Sequence, residues 1–336
     1  MWNISKCDLC GDCLTKCLYI DYDKDRATKD IKALMKGENA EILGRCITCC
    51  ACREYCPTGA DPFDLILKMM EKYKSFPIKP EGMSFFNRFS SVPNQVINGQ
   101  PGKPVLSLCA MEIALPPDAI GGQMFDGFTI AKGGDYFCYV GFVHAGLETP
   151  IAENAQKFID NIAKLGNEII FLHDDCYAMV DVKIKDYGIK VPFKYMHILE
   201  YMRNYLCDNK SKITKLSKKV AYQRPCASRY TPTKDIFVDE IFDLIGVERP
   251  KREYEREKAL CCAGPLVWVY PPLAAETAEV QAKNVDDAIK CGADALVTLC
   301  PMCDLVLRSP TTKRSLHKIY ITDLVRMALG EKNFPV

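Results

Sequence analysis

The chain has 336 residues, 48% of them hydrophobic and 26% charged, with a formal net charge of +1. That length suits two or three domains of roughly 100–200 residues each. The near-neutral balance gives no global field for nucleic acid or an acidic membrane surface. No run approaches the roughly 20 apolar residues that span a bilayer, and the opening MWNISKCDLC has no apolar signal core. We therefore expect a cytoplasmic protein, or one peripheral to a membrane complex. Cysteine is the outlier, with 19 copies. An odd count in a long chain without a secretion signal favours metal binding over a disulfide framework.

In chain order, residues 1–75 come first and carry two cysteine runs. These are Cys7-x2-Cys10-x2-Cys13-x3-Cys17 and Cys46-x2-Cys49-x2-Cys52-x3-Cys56-Pro57. Between them, TKDIKALMKGE sets Ile31, Leu34 and Met35 on one helical face and stops at Gly37. After the second run, Asp61 stands where a cap belongs, Pro62 suits a first turn, and FDLILKMMEKY continues as helix. The block reads as mostly helical, held together largely by what its cysteines bind.

The twin runs carry the bacterial ferredoxin signature. Three thiolates on a tight loop hold three corners of a cubane, and the fourth iron takes its thiolate from the other run. One [4Fe–4S] cluster then takes Cys7, Cys10, Cys13 and Cys56, and a second takes Cys46, Cys49, Cys52 and Cys17. Structural zinc, often held by two separated C-x2-C pairs, fits runs of three plus one poorly. Leu18 replaces the proline expected after Cys17, and Cys50, between ligands, is expected to be a packed small side chain. Residues 1–75 resemble the helical ferredoxin domain found in the C-type component of heterodisulfide reductase and in related succinate dehydrogenase iron–sulfur proteins.

Residues 76–104, rich in Pro, Gly, Ser and Asn, read as a linker. Residues 105–210 and 219–336 then read as two versions of one unit. NIAKLGNEIIFLHDDCYAMV (161–180) aligns with DAIKCGADALVTLCPMCDLVL (287–307). Upstream, KPVLSLC resembles KKVAYQRPC and DYFCYVG resembles ALCCAGP; downstream, YMHILEYM resembles YITDLVRM. Such self-similarity suggests a duplicated domain with a pseudo-twofold core. Ala152, Ala155, Phe158, Ile159, Ile162 and Leu165 follow helical spacing, as do Ala274, Ala278, Ala282, Val285, Ala288 and Ile289. Alternating strand and helix imply a parallel sheet covered on both faces. The expected fold class is α+β multidomain: an all-α ferredoxin-like domain plus a duplicated α/β, parallel-sheet, cysteine-rich domain. Cys109, Cys226 and Cys300 fall at or just past strand ends, and Cys176 a few residues later, where open parallel sheets gather ligands.

The second repeat holds Cys226, Cys261, Cys262, Cys300 and Cys303 in the pattern C-x34-CC-x-G-x35-C-x2-C. This resembles the cysteine-rich CCG domain of the B-type and D-type components of heterodisulfide reductase, shared with glycolate oxidase and glycerol-3-phosphate dehydrogenase iron–sulfur proteins. Gly264 stands one place late for the named tripeptide, while Cys300-Pro301-Met302-Cys303 matches well. The resemblance implies a noncubane [4Fe–4S] cluster held by five cysteines that cleaves a disulfide. Reducing a disulfide takes two electrons, whereas cubanes deliver one at a time, so a thiophilic iron that holds the half-reduced sulfur suits the chemistry. One ordinary cubane with a spare cysteine is the alternative. In the first repeat Cys109, Cys138 and Cys176 match Cys226, Cys262 and Cys303, while Phe137 and His173 replace Cys261 and Cys300. Three cysteines and a histidine still make a metal set, so a fourth cluster and a vestigial structural half both stay open, with Asp174 and Asp175 adding charge a thiolate site does not want.

The remaining features are weaker. His144, His197 and His317 are expected as core or surface residues, helical aromatics and methionines as core packing, and KITKLSKKV and RPKREYEREK as solvated surface. No dinucleotide fingerprint, phosphate loop or hydrolase nucleophile motif is present, so flavin or nicotinamide chemistry belongs to another protein of a complex. The resemblance implies an oxygen-sensitive redox protein of the heterodisulfide reductase family, of the fused C/B type or the D type. Its partners would be a flavoprotein (such as the A-type component of that family), a dehydrogenase or a hydrogenase, and its substrate a small thiol or disulfide. The rival expectation is an electron-wiring protein with no substrate of its own.

Overall fold

A computed structural model describes residues 1–269 and 277–335. The N-terminal block is helical: α1 (Asp12–Thr15), α2 (Lys24–Met35), α3 (Ala51–Tyr55) and α4 (Pro62–Tyr73). Asp23 caps α2 by accepting the Arg26 amide at 2.8 Å, and Gly37 ends it in a left-handed turn at φ 77°. Ala27, Ile31 and Leu34 form its buried face, with Met35 only half-buried. In α4 Phe63, Ile66, Leu67 and Met70 are buried at helical spacing, each worth about 1.5–3 kcal/mol when fully removed from water. Asp61 does not cap α4. It sits at φ 58° with no side-chain cap bond, and its carboxylate pairs with Arg53 at 3.0 Å instead.

Residues 76–104 are not a bare linker. They form α5 (Pro80–Arg88) and β1 (Gln95–Ile97), and Phe86 and Phe89 are buried. Composition hides this because the aromatics of SFFNRF are flanked by turn residues on both sides.

The rest folds as two open sheets. The first contains β1, β2 (Val105–Cys109), β3 (Thr129–Lys132), β4 (Glu168–Phe171) and β5 (Lys194–His197) in the order β1-β3-β2-β4-β5. The second contains β6 (Lys218–Gln223), β7 (Val247–Glu248), β8 (Ala295–Thr298) and β9 (His317–Tyr320) in the order β7-β6-β8-β9. Without β1, the two orders correspond strand for strand. Every pairing is parallel except β1 with β3. β2 and β8 are buried along their whole length, as strands covered on both faces must be.

Helices α6 (Thr149–Ala163), α7 (Asp174–Ala178), α8 (Ile184–Asp186) and α9 (Ile198–Asp208) belong to the first half. In the second half, α10 (Ile236–Ile245) is followed by α11 (Thr277–Lys290), α12 (Pro301–Thr312) and α13 (Ile321–Ala328). The helical faces differ in detail from the spacing expected. Ile151 is buried where Ala152 is exposed, Ile289 points to solvent, and Ala274 lies outside the described residues. Arg252, expected on a solvated surface, is buried and donates to the Tyr222 carbonyl at 2.8 Å.

Three apolar cores tie the parts together. Leu106, Ile170 and Leu199 of the first half share one with Val220, Phe242 and Leu324 of the second. Leu14, Ile31 and Ile66 pack with Leu266 and Leu296, and Phe63 packs with Phe142 and Phe158. The N-terminal block thus rests on both halves. No helix among the described residues is long and apolar enough to cross a membrane.

Candidate metal centres

The N-terminal cysteines gather around two small cavities. Cys7, Cys10, Cys13 and Cys56 line one. Cys17, Cys46, Cys49 and Cys52 line the other, together with Cys13 and Cys50. Both loops bend in the same way. The residue two past the first cysteine is left-handed in each (Leu9 at φ 62°, Thr48 at φ 60°), and so is the residue after the second (Gly11 at φ 82°, Cys50 at φ 62°). Side chains resist this conformation at a cost on the order of 1–3 kcal/mol, so the repeated bend marks a loop shaped for function. Cys50 therefore occupies the position that glycine takes in the first loop, with its side chain buried.

Backbone N–H groups point at sulfur: Thr48, within the second bend, donates to Cys46 Sγ, and Ala60 donates to Cys56 Sγ, each at 3.3 Å. Burial pushes the Cys13 and Cys17 thiols up to about 12, with neighbouring sulfurs adding to it. Such thiols release their protons on ligating a cationic metal group. The donor sets fit cubanes on sulfur count, loop shape and amide donors.

In the second half the chain brings together five sulfurs from three segments. The segment after β6 delivers Cys226, a loop delivers Cys261 and Cys262, and the first turn of α12 with its cap delivers Cys303 and Cys300. Cys226 Sγ lies 3.3 Å from Cys261 Sγ. Hydrogen bonds from Cys261 and Cys303 draw the Cys262 thiol down to about 6, and Cys303 with His173 draws Cys300 down to about 6. The partner contacts push Cys303 and Cys226 well up. The contacts run as a chain from Cys226 through Cys261, Cys262 and Cys303 to Cys300, a spread that suits a metal group of several ions better than one ion. The doublet is held from outside by the N-terminal block, where the Tyr19 hydroxyl accepts the Cys261 amide at 2.6 Å. The buried Ala263 sits at φ 58°. It occupies the place that favours glycine, while Gly264 is right-handed at φ −54°.

The first half is built alike but equipped differently. The sulfurs of Cys109, Cys138 and Cys176 lie within 4.8 Å of one another. Tyr139, after Cys138, takes the same left-handed turn as Ala263, at φ 59°. Phe137 stacks into an aromatic group with Phe89 at 5.5 Å and Tyr139 at 4.5 Å. The His173 ring lies between the halves, with Nε2 3.6 Å from Asp175 and 3.9 Å from Cys300 Sγ. Burial opposes its charge, but Asp175 and the sulfurs of Cys109, Cys138 and Cys300 hold its pKa well up. Its Nδ1 is buried without a hydrogen-bond partner. Asp174 adds no free charge to this site, because Lys234 at 2.6 Å and Ser228 at 2.9 Å take it up.

Cations and cavities connect the centres. Glu54 of α3 accepts from Arg224 at 2.8 Å and from Arg229 at 2.6 Å. Arg229 also donates to the Ala259 carbonyl at 2.7 Å, fixing the segment that leads into Cys261. Burial pushes the Cys49 thiol up and the nearby Arg229 guanidinium pulls against it. In front of the second-half sulfurs lies a cavity of about 750 Å³, including its part open to solvent. Cys226, Cys262, Cys300 and Cys303 form its floor, and Phe85, Phe89, Phe137, His144 and Trp268 form much of its wall. Tyr19, Thr48, His144, Arg229 and the α5 aromatics carry no motif. Only the helical spacing within SFFNRF is there to be read.

Comparison with known proteins agrees with the second half. Residues 220–308 match the family described as CCG, a cysteine-rich domain. A search of curated proteins finds no match. A crystal structure of a hypothetical protein from Helicobacter pylori shares the fold, with a TM-score of 0.60 at 14% identity over 92% of this chain. The alignment spans 65% of that protein's length. An aspartate racemase from Picrophilus torridus overlaps 69% of this chain and 96% of its own at 11% identity, with a TM-score of only 0.33. The CCG match and the grouped cysteines point to an iron–sulfur redox role.

Proposed function

We propose that this chain is an iron–sulfur redox component of a complex of the heterodisulfide reductase type. In this reading it relays single electrons to a sulfur-handling centre in its second half. The observation that carries it is the placing of Cys226, Cys262, Cys300 and Cys303 at the floor of one cavity, with Cys261 Sγ 3.3 Å from Cys226 Sγ. When bound, two cubanes supply one-electron steps and a noncubane four-iron group supplies an iron that accepts sulfur.

The chain's own residues do the rest. Cys7, Cys10, Cys13 and Cys56 hold the first cubane, and Cys46, Cys49, Cys52 and Cys17 the second. Arg229 and Tyr19 lie between the second set and the five-sulfur set, the guanidinium placing positive charge beside both and the hydroxyl fixing the Cys261 backbone. Aromatic side chains keep bulk water from the floor of the cavity. Cys109, Cys138 and Cys176 bring three sulfurs within 4.8 Å of one another, a set suited to one ion with a fourth donor from outside it and too small for a five-ligand group. The electron donor is another redox protein of the complex, such as a flavoprotein.

The test is an anaerobic titration of the iron-loaded chain with a small disulfide and its thiol. The reading expects a thiol-dependent change in the EPR spectrum of a third centre, abolished in Cys261→Ala/Cys262→Ala. A spectrum indifferent to thiol and disulfide, with no turnover, would leave only the wiring role.

A further inference from the structure

The three cysteine sets differ more in the charge around them than in their amide donors. Each has a backbone N–H on sulfur at 3.3 Å: Ala60 on Cys56, Thr48 on Cys46 and Ala263 on Cys261. Carboxylates stand beside the first set. The exposed Asp8 accepts the Cys10 amide at 3.1 Å, and Asp12 opens α1, where Lys16 pairs with it at 2.7 Å. Solvent and salt screen both. Cys46 and Cys49 sit deeper in the protein than Cys10. A deep cluster is harder to reduce than an exposed one, because the added electron is a charge in a medium of low polarity.

Arg229 offsets that disadvantage at the second and third sets. Its side chain is only 4% exposed. It follows Cys226 in the short helical turn Cys226–Tyr230. It donates to Glu54, just past Cys52 on α3, at 2.6 Å, and to the carbonyl of Ala259, just before Cys261, at 2.7 Å. One buried guanidinium thus ties the segments that carry ligands of the second cubane to those of the five-sulfur set. Burial pushes the Cys17 and Cys49 thiols up and contact with Cys261 pushes Cys226 up, while Arg229 pulls against all three. A cation held in the interior acts on a neighbouring centre far more strongly than one in water. Glu54, which also accepts from Arg224 at 2.8 Å, cancels part of its charge.

We propose that Arg229 sets the direction of electron flow: its charge raises the potentials of the second cubane and the five-sulfur centre together, so that electrons entering at the more exposed first cubane run inward. The proposal rests on the relay reading above and adds the residue that drives it. No bond forms or breaks. Each electron comes from the partner redox protein, reduces the first cubane, and reoxidises it on passing to the second and then to the five-sulfur centre. Arg229 and Glu54 carry opposite charges, so neutralising one and neutralising the other shift the same two centres in opposite directions.

An anaerobic redox titration of the iron-loaded full chain, followed by EPR, is the test. In Arg229→Gln the midpoint potentials of the third centre and of one ferredoxin-type centre are expected to fall, with the other ferredoxin-type centre unmoved. In Glu54→Gln the same two are expected to rise. Arg229→Lys keeps the charge and should lower them less than Arg229→Gln does. Asp8→Asn keeps an oxygen for the Cys10 amide and should raise only the centre that Arg229→Gln leaves alone. In the wild type that centre should have the lower potential of the ferredoxin-type pair; the opposite order overturns the inward direction. Unmoved potentials in Arg229→Gln, an equal shift of all three centres, or equal falls in Arg229→Lys and Arg229→Gln overturn the role of the charge. Should Arg229→Gln fail to load iron, Glu54→Gln decides: a rise of two centres upholds the role and no rise overturns it. A wild-type chain with no third centre removes the relay reading itself, and the ferredoxin-type pair then still decides whether Arg229 acts on the second cubane.

Discussion

The two halves of the duplicated region share strand order, the left-handed turn after Cys138 or Cys262, and the placing of sulfur beyond the strand ends. They differ at two ligand positions. Where the second half has Cys261 and Cys300, the first has Phe137 and His173. Phe137 is buried and joins Phe89, Tyr139 and Phe142 in an aromatic group, and the same ring lines the cavity that opens on the second half. His173 reaches Cys300 across the boundary. The first half has exchanged ligands for walls. The residues at those two positions leave no gap in the fold: Phe137 and His173 both line the cavity over the second-half sulfurs.

That contrast can be broken by mutation, and the largest effect falls on the sulfurs. Cys261→Ala/Cys262→Ala should abolish the third centre's EPR signal and leave the two ferredoxin-type signals, whereas Cys138→Ala should leave all three. Loss of the third signal in Cys138→Ala would mean that the halves share one centre.

Next comes the way the N-terminal block grips the first half. Asp64 meets the buried Lys183 at 3.3 Å and Arg53 at 3.2 Å. Removing one partner of a buried pair strands the others, so Asp64→Asn should cost about 3 kcal/mol and lower the melting temperature. Burial opposes ionisation of Asp64, but Lys183 and Arg53 outweigh it and hold the pKa down at about 2. A lowered folded-state pKa stabilises above the unfolded value near 4 and is lost as pH falls through about 2. The melting difference between Asp64→Asn and wild type should therefore be full at pH 7 and shrink below about pH 4.

A smaller effect is expected at the cover over the second half. A Cβ on Gly82 of α5 would lie 2.7 Å from Trp268 Cβ and 3.1 Å from its carbonyl oxygen. Gly82→Val should cost about 1–3 kcal/mol in thermal stability by forcing α5 and Trp268 apart. Least of all, Lys157→Ala removes an exposed pair with Asp135 at 3.8 Å, and its melting temperature should match wild type within an effect of about 0.5 kcal/mol.

Much of this organisation is legible in the sequence because sulfur spacing is a strong local signal. Each N-terminal cavity is lined by three cysteines of one run and the last of the other, the second cavity by Cys13 and Cys50 as well, and the strand orders of the two halves correspond. What the sequence hides depends on distance or on backbone. Thr48 and His144 are 96 positions apart and meet only in the fold. Tyr19 and Cys261 are 242 apart. Ala263 gives no hint of a left-handed turn, since alanine ordinarily avoids one. Asp61 has the position of a helix cap but is claimed by Arg53, a tertiary ion pair overriding a local preference. Composition misleads over 76–104 because turn residues dominate it, although its few phenylalanines decide where the segment packs.

The central claim is that the second half carries a four-iron centre and the first half carries none. The most direct test is the iron, acid-labile sulfide and zinc content of the chain prepared under strict anaerobiosis. The account predicts about twelve irons per chain, eight in the ferredoxin-type clusters and four in the second half. About eight irons would remove the second-half centre, and about sixteen would show that the first half is loaded too; either result contradicts the division of labour described here.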